Sequence, residues 1–142
     1  MRVGATADER LPLGVTRPSG RAARVPELEA LGAEVSYTSD AVEGAVVGAL
    51  LEARLEEFVQ QGAWCYAVGP RAMMRHAAAI VRDRAPLQVS LEERMACGVG
   101  ACRSCVVPVR AGEGVTYLTS CREGPVFLAL QVAWEALDDL HA

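Results

Sequence analysis

The segment "ERMACGVGACRSC", from Glu93 to Cys105, constrains this chain more than any other. It places Cys97, Cys102 and Cys105 at C-x4-C-x2-C spacing and fills the longer gap with glycine, valine and alanine. The conformation of so short a loop of small residues depends on what holds its thiols together. A fourth cysteine, Cys121, follows Cys105 after fifteen residues.

The residues after Cys105 predict how Cys121 returns to this loop. The segments "CVVPV", "RAGEG" and "VTYLTSC" are typical of a strand, a turn and a second strand. Such a hairpin brings the fourth thiol back to the other three, and the spacing is the plant-type pattern of a 2Fe–2S cluster. Thiolates and sulfides are negatively charged, so backbone N–H groups must approach the sulfurs. Small residues permit this approach: Ala96, Gly98, Gly100 and Ala101.

Three other uses of the cysteines stay open, although the spacing favours the cluster. Structural zinc also takes four thiolates, usually from two short-spaced pairs, and here there is one C-x2-C. Reduced core cysteines without a ligand role are a second alternative. A redox dithiol at Cys102 and Cys105 is a third, and it leaves the other two thiols without a role. Three arginines flank the cysteines and either raise the cluster's potential or are simply solvated: Arg94, Arg103 and Arg122.

The remaining candidate ligands fit structural roles better. Cys65 lies in an apolar strand without a cysteine neighbour, which predicts a buried core thiol. His76 and His141 have no carboxylate or cysteine at metal-site spacing, so we expect neither to bind metal.

Composition excludes several classes of function. The net charge of −4 argues against nucleic acid or an anionic membrane surface as a partner. All fourteen basic residues are arginine, which excludes lysine-dependent chemistry. The first residues lack the apolar core of a secretory signal, and no apolar run is long enough to span a bilayer. We therefore expect a cytoplasmic chain, in which an odd number of cysteines also argues against a disulfide framework.

The first half of the chain alternates helices and strands. After a lead-in with one short strand, the patterns predict helix, strand, helix, strand and helix over residues 27–34, 35–38, 40–62, 64–68 and 71–84. This order is typical of a parallel sheet with crossovers.

From Pro86 onwards the pattern changes. A short strand precedes the cysteine loop, the hairpin follows it, and residues 125–140 are predicted to be helical. The fold class is therefore α/β: a partial Rossmann-like nucleotide domain over residues 1–85, followed by a small β-rich 2Fe–2S cluster domain over residues 86–142.

Two groups of motifs carry a resemblance to a known family. "LEERMACGVGACRSCVVPV" and "CREGPVF" resemble the electron transfer subunit of the two-subunit, NAD-linked dihydroorotate dehydrogenases. "LEALGAEVSYTSD" and "YAVGPRAMM" resemble the later part of the nicotinamide domain in the same ferredoxin-reductase-like family. The similarity runs from about residue 27 to about residue 135.

The resemblance implies a function and a set of site residues. In that family a barrel binds FAD, a central domain binds NAD, and a 2Fe–2S cluster passes electrons to FMN in a catalytic subunit of pyrimidine biosynthesis. Matched residue by residue, the cluster ligands are Cys97, Cys102, Cys105 and Cys121. Gly69 and Pro70 match the loop that approaches the nicotinamide, with Val68 where a cysteine is usual.

This sequence also departs from the family's pattern. It has no arginine-aromatic-serine flavin motif and no barrel, and no G-x-G-x-x-G follows a first strand, which argues against FAD and NAD binding by this chain. We expect an electron carrier that relays electrons between flavin centres, with an FMN-containing catalytic subunit and a separate flavin reductase chain as partners. The alternatives are a zinc-stapled, non-redox interaction domain and a fragment of a split oxidoreductase subunit.

Overall fold

The computed structural model describes residues 2–6, 14–16, 27, 30, 35–37 and 47–140. The chain divides into two compact units, Met1–Leu87 and Gln88–Ala142, and each is described by itself below. Its mixed α/β composition agrees with the predicted class. The identity of the first unit as a partial Rossmann-like domain stays a prediction. No helix in the described ranges is both long and apolar enough to cross a membrane.

The described part of the first unit contains four strands and two helices, and Glu27 and Ala30 are also helical. The strands are β1 (Arg2–Thr6), β2 (Gly14–Thr16), β3 (Val35–Tyr37) and β4 (Trp64–Val68), and the helices are α1 (Val47–Gln60) and α2 (Arg71–Val81). Strand β2 pairs with β3 in parallel, as the predicted sheet requires. Strand β1 pairs with β4 antiparallel, which corrects the expectation of parallel pairing. The direction of β1 could not be predicted, because this strand lies in the lead-in, before the alternating helices and strands begin.

Helix α1 has the amphipathic pattern that the sequence predicts. Leu51, Leu55 and Phe58 recur at helical spacing and are buried. The helix ends at Gln60, and Gly62, two residues further on, has a φ of 61° that glycine adopts without a Cβ clash. The N–H of Gly62 bonds the carbonyl of Val59, and the N–H of Ala63 bonds that of Phe58, a Schellman motif. The predicted start of this helix, at residue 40, lies outside the described residues.

Strand β4 and helix α2 are joined by a two-residue turn. The strand alternates in burial: Cys65 and Ala67 are buried, and the other three residues of the strand are exposed. Helix α2 begins after Pro70, whose carbonyl accepts hydrogen bonds from the N–H groups of Met73 and Met74. It ends at Val81, three residues before the predicted Arg84, because Arg82 adopts a φ of 49° that a helix cannot continue through.

The second unit is built on a hairpin. Its elements are β5 (Leu87–Ser90), which begins at the unit boundary, β6 (Val106–Ala111), β7 (Gly114–Thr119), α3 (Ser120–Glu123), β8 (Val126–Leu128) and α4 (Trp134–Asp139). Strands β6 and β7 pair antiparallel from Val106 opposite Thr119 to Ala111 opposite Gly114. The hairpin that the sequence predicts is therefore confirmed.

The tail of the chain differs from its prediction. Residues 126–128 form strand β8, which pairs antiparallel with β5, and helix is confined to Trp134–Asp139. The helical prediction was wrong for the first half of the tail because pairing with β5 prevails over local propensity. Phe127 turns inward from β8 and is buried with the side chains of the second core: Val89, Leu91, Val107, Val109, Val132, Trp134 and Leu137.

Candidate metal centre

The cysteine loop is anchored at Leu91, the residue that follows β5. Leu91 is buried, its N–H bonds the carbonyl of Pro125 at 2.9 Å, and its own carbonyl accepts the Ser120 hydroxyl at 2.9 Å. Ser120 is also buried and begins helix α3, one residue before Cys121. These contacts hold the entrance of the loop beside the element that carries the fourth cysteine.

The hairpin anchors the other end of the loop. Cys105 precedes β6 and Ser120 follows β7, and the N–H of Ser120 bonds the carbonyl of Cys105 at 2.8 Å, which extends the ladder by one step. Cys121 is the next residue along the chain. The hairpin therefore places the third cysteine opposite the residue that precedes the fourth.

The first cysteine is wrapped by backbone. The Cys97 sulfur accepts hydrogen bonds from the N–H groups of Val99, at 3.5 Å, and Cys102, at 3.4 Å. The chain turns through Gly98 and Gly100, whose φ values of 69° and 80° lie in the left-handed region. This is the arrangement of backbone N–H groups around sulfur that the small residues predict.

Cys102 is hydrogen-bonded to Cys97 and to a hydroxyl. Its sulfur lies 3.2 Å from the Oγ of Ser104. Hydrogen bonds from the side chain and backbone of Ser104, and then from Cys97, lower the pKa of Cys102 to about 6. Ser104 was not predicted as a site residue, although a hydroxyl residue between the two cysteines of a C-x2-C motif is a signal that could have revealed it.

Cys121 differs from Cys102 in its acidity. Its hydrogen bond with Cys105 raises its pKa, and desolvation acts in the same direction, while the N–H of Gly100 and the side chain of Thr119 oppose them. The fifth cysteine, Cys65, lies in β4 of the first unit and is fully buried, as predicted. Burial also raises the pKa of the Cys65 thiol.

Helix α3, which carries Cys121, is held by a second contact that sequence reasoning missed. The carboxylate of Glu123 accepts hydrogen bonds from the backbone N–H of Thr119, at 2.7 Å, and from its hydroxyl, at 2.5 Å. These bonds lower the pKa of Glu123. A Cβ on Gly100 would lie 3.3 Å from the Thr119 hydroxyl and from Cδ of Arg122, so the loop packs closely against this helix.

The three arginines near the cysteines have different roles. Arg103 adopts a φ of 55° and donates a hydrogen bond to the carbonyl of Tyr117 at 3.0 Å, which ties the loop to β7. The carbonyl of Arg94 accepts the Ser104 hydroxyl at 3.4 Å. The side chain of Arg122 is 74% exposed.

The other predicted site residues lie in the first unit. Gly69, with a φ of 152°, and Pro70 form the exposed turn between β4 and α2, and their role at a nicotinamide stays a prediction. His76 is an exposed residue of α2 whose imidazole lies against Gly48 of α1. His141 lies outside the described residues.

The four cysteines of the second unit are linked through the backbone: the N–H of Cys102 bonds the Cys97 sulfur, and Cys105 is bonded to Ser120, which precedes Cys121. All are free thiols. Among the residues that the structure describes, no three or more His, Cys, Asp or Glu side chains are grouped as ligands of a single metal ion. The donor chemistry and the backbone N–H groups at Cys97 nevertheless fit a cofactor with two metal ions, because each ion of such a cofactor needs only two thiolates.

A glycine-rich cysteine loop that adjoins a hairpin with a further cysteine is typical of a thiolate metal-binding domain. Comparison with known proteins makes this specific. Residues 92–133 match the family model of the iron-sulfur cluster binding domain of dihydroorotate dehydrogenase B, which confirms the resemblance seen in the sequence. The match also supports the predicted 2Fe–2S cluster as the cofactor of this region.

Curated relatives carry the same family name. The electron transfer subunit of dihydroorotate dehydrogenase B (NAD(+)) from Caldanaerobacter subterraneus subsp. tengcongensis is 37% identical over 109 residues, covering 76% of this chain and 43% of the relative. The subunit of the same name from Bacillus caldolyticus is 42% identical over 108 residues, covering 75% of this chain and 40% of the relative. The chain thus spans less than half the length of these relatives.

A solved structure shares the fold. It is an NADH-dependent reduced ferredoxin-NADP oxidoreductase described in connection with flavin-based electron bifurcation. The TM-score is 0.64 at 26% sequence identity, and the alignment covers 88% of this chain and 45% of the other. The α/β architecture is therefore similar to that of a reductase.

Proposed function

We propose that this chain is an electron carrier whose Cys97, Cys102, Cys105 and Cys121 hold a 2Fe–2S cluster. The observation that carries this proposal is the hydrogen bonding of the four-cysteine segment: the Cys97 sulfur accepts the N–H groups of Val99 and Cys102, and Cys105 is bonded to the residue before Cys121. In a 2Fe–2S cluster each iron binds two bridging sulfides and two cysteine thiolates. Cys97 and Cys102 would serve one iron, and Cys105 and Cys121 the other.

The surroundings of the thiols favour iron-sulfur chemistry over a zinc staple. A structural zinc ion usually takes its four thiolates from two short-spaced pairs, whereas this chain has one C-x2-C motif. The N–H groups that bond Cys97 would stabilise the negative charge of a cluster, and so would the hydroxyl beside Cys102. When bound, the cluster would supply reversible one-electron transfer, and this chain's residues would hold it and set its potential.

The exposure of the loop supports exchange of electrons with another protein. Cys97 and Cys102 are exposed, whereas Cys105 is only 2% exposed. Cys97 and Cys102 therefore face outward, whereas Cys105 is buried and Cys121 is partly exposed. A redox partner could approach Cys97 and Cys102 without any rearrangement of the second core.

The pathway and partners follow from the relatives and belong to the same proposal. We infer that the chain acts as, or as part of, a dihydroorotate dehydrogenase electron transfer subunit in the cytoplasm. The electron acceptor would be an FMN-containing catalytic subunit of pyrimidine biosynthesis, and a flavin reductase chain would be the donor. The turn at Gly69 and Pro70 would lie nearest the nicotinamide in any reductase assembled with this unit, since its glycine leaves the backbone uncovered.

The test is the metal content and spectrum of the anaerobically purified chain. We expect about two irons and two acid-labile sulfides per chain, and visible absorption that dithionite bleaches reversibly. Cys97→Ser and Cys121→Ser should each abolish this spectrum. Cys65→Ala is the matched control, because Cys65 is buried in the other unit and should leave the spectrum unchanged.

Two outcomes would overturn the proposal. Zinc without sulfide would make the loop a structural metal site. An intact spectrum in both Cys97→Ser and Cys121→Ser would remove these residues from the ligand set.

A further inference from the structure

The hydroxyl of Ser104 has two possible acceptors. Its Oγ lies 3.2 Å from the Cys102 sulfur and 3.4 Å from the carbonyl oxygen of Arg94. A hydroxyl carries one proton, so it can donate fully to only one of them. The acceptor is decided by the state of Cys102.

Metal binding would settle this competition in favour of the sulfur. A free thiol can itself donate to the Ser104 oxygen, which leaves the hydroxyl proton for Arg94. A metal-bound thiolate has no proton to give and can only accept. Ser104 must then turn its proton to Cys102, which is the closer of the two acceptors, and the bond becomes charge-assisted.

We propose that Ser104 is a positioning residue that raises the reduction potential of the cluster by donating its hydroxyl proton to the Cys102 thiolate. This inference rests on the proposed function. Ser104 acts through Cys102 and does not itself bind metal. The small residues of the loop predict only backbone N–H groups near the sulfurs, so they do not predict this side-chain hydrogen bond.

The direction of the effect follows from charge. Reduction adds one electron, taken from a one-electron donor such as dithionite, and the negative charge on the thiolates grows. No bond to Ser104 forms or breaks, and its proton stays on oxygen. A hydrogen bond to the thiolate stabilises the more negative, reduced state, so its removal should lower the potential.

The size of the effect is limited by solvent. Ser104 and Cys102 are both exposed, so water can partly replace a missing hydroxyl. We expect Ser104→Ala to weaken one-electron reduction by no more than about tenfold in the equilibrium constant, which is about 59 mV. Ser104→Thr keeps a hydroxyl on the same Cβ and should retain most of the potential.

The experiment compares midpoint potentials of the anaerobically purified full chain and its variants by spectroelectrochemical titration. Resonance Raman spectra of the Fe–S stretching bands in H₂O and D₂O provide a second readout. Ser104→Ala should lower the potential and lose the D₂O shift that its hydroxyl contributes, and Ser104→Thr should retain both. Thr116→Val, which removes an exposed hydroxyl from β7 outside the C-x2-C motif, is the control and should match the unaltered chain.

The outcomes separate this inference from the proposed function. If the unaltered chain contains no reducible cluster, the proposed function itself fails. If the cluster reduces reversibly but Ser104→Ala has the same potential and the same D₂O shift as the unaltered chain, only the role of Ser104 is refuted. A potential that falls equally in Ser104→Thr would also refute it, because the effect would then follow from disturbed packing.

Discussion

Two glycines of the cysteine loop offer a matched test of how the loop is held. Gly98 and Gly100 both adopt left-handed backbone conformations, with φ of 69° and 80°. A Cβ on Gly98 would meet nothing within 4 Å, whereas a Cβ on Gly100 would lie 3.3 Å from Thr119 Oγ1 and Arg122 Cδ. Replacing each by alanine therefore imposes a similar backbone strain but a different packing strain.

The magnitudes follow from these contacts. An alanine in the left-handed region costs about 1–2 kcal/mol, and this applies to both substitutions. Gly100→Ala adds the cost of forcing an extra methyl into a packed contact, about 1–3 kcal/mol. The exposed Arg122 side chain can move away, but Thr119 is buried and its hydroxyl is bonded to Glu123 at 2.5 Å. The contact with Thr119 thus decides the difference between the two variants.

The assay is urea unfolding of the full chain followed by the fluorescence of Trp134, which is buried in the second unit. The only other tryptophan is Trp64, so a Trp64→Phe background leaves Trp134 as the single probe. We expect Gly98→Ala to lower the free energy of unfolding by about 1–2 kcal/mol and Gly100→Ala by about 2–4 kcal/mol. Equal losses in the two variants would refute the argument that the loop packs against the helix of Cys121.

Two further predictions concern packing and thiol acidity. Gly124→Ala should destabilise the chain by about 1–3 kcal/mol, because its Cβ would lie 2.5 Å from the ring of the buried Phe127. Gly114→Ala should have little effect, because its Cβ would meet only a carbonyl oxygen at 3.9 Å. Comparable urea midpoints for the two variants would contradict this prediction. In cluster-free protein, alkylation of Cys102 by iodoacetamide should rise to half its maximal rate near pH 6, since the thiol loses its proton as pH rises through its lowered pKa of about 6. Cys65 is buried and has a raised pKa, so it should resist the reagent until the chain unfolds, as peptide mass spectrometry would show. If the alkylation rate of Cys102 rises only near pH 9, the hydrogen bonds assigned to its sulfur are wrong.

Several features of this protein were determined by short stretches of sequence. The period of Leu51, Leu55 and Phe58 defines helix α1, and Gly62 ends it, because helix formation and capping depend on residues within one or two turns. The spacing of the cysteines and the turn between β6 and β7 similarly predict the loop and the return of the fourth thiol. A hairpin with a short turn has its register fixed locally, so no distant contact was needed to bring Cys105 opposite Ser120, the residue before Cys121.

Other features were decided only in three dimensions. Strand β8 was predicted as helix because its apolar residues satisfy either pattern, and pairing with β5 made the choice. The Ser120 hydroxyl meets the carbonyl of Leu91 across 29 positions of sequence, and Ser104 meets Arg94 across 10. No local pattern encodes such contacts, since they depend on where the folded chain brings two backbone segments together. The sequence thus determined which atoms are available as metal ligands, and the tertiary structure determined the hydrogen bonds that surround them, because those bonds join residues that only folding makes neighbours.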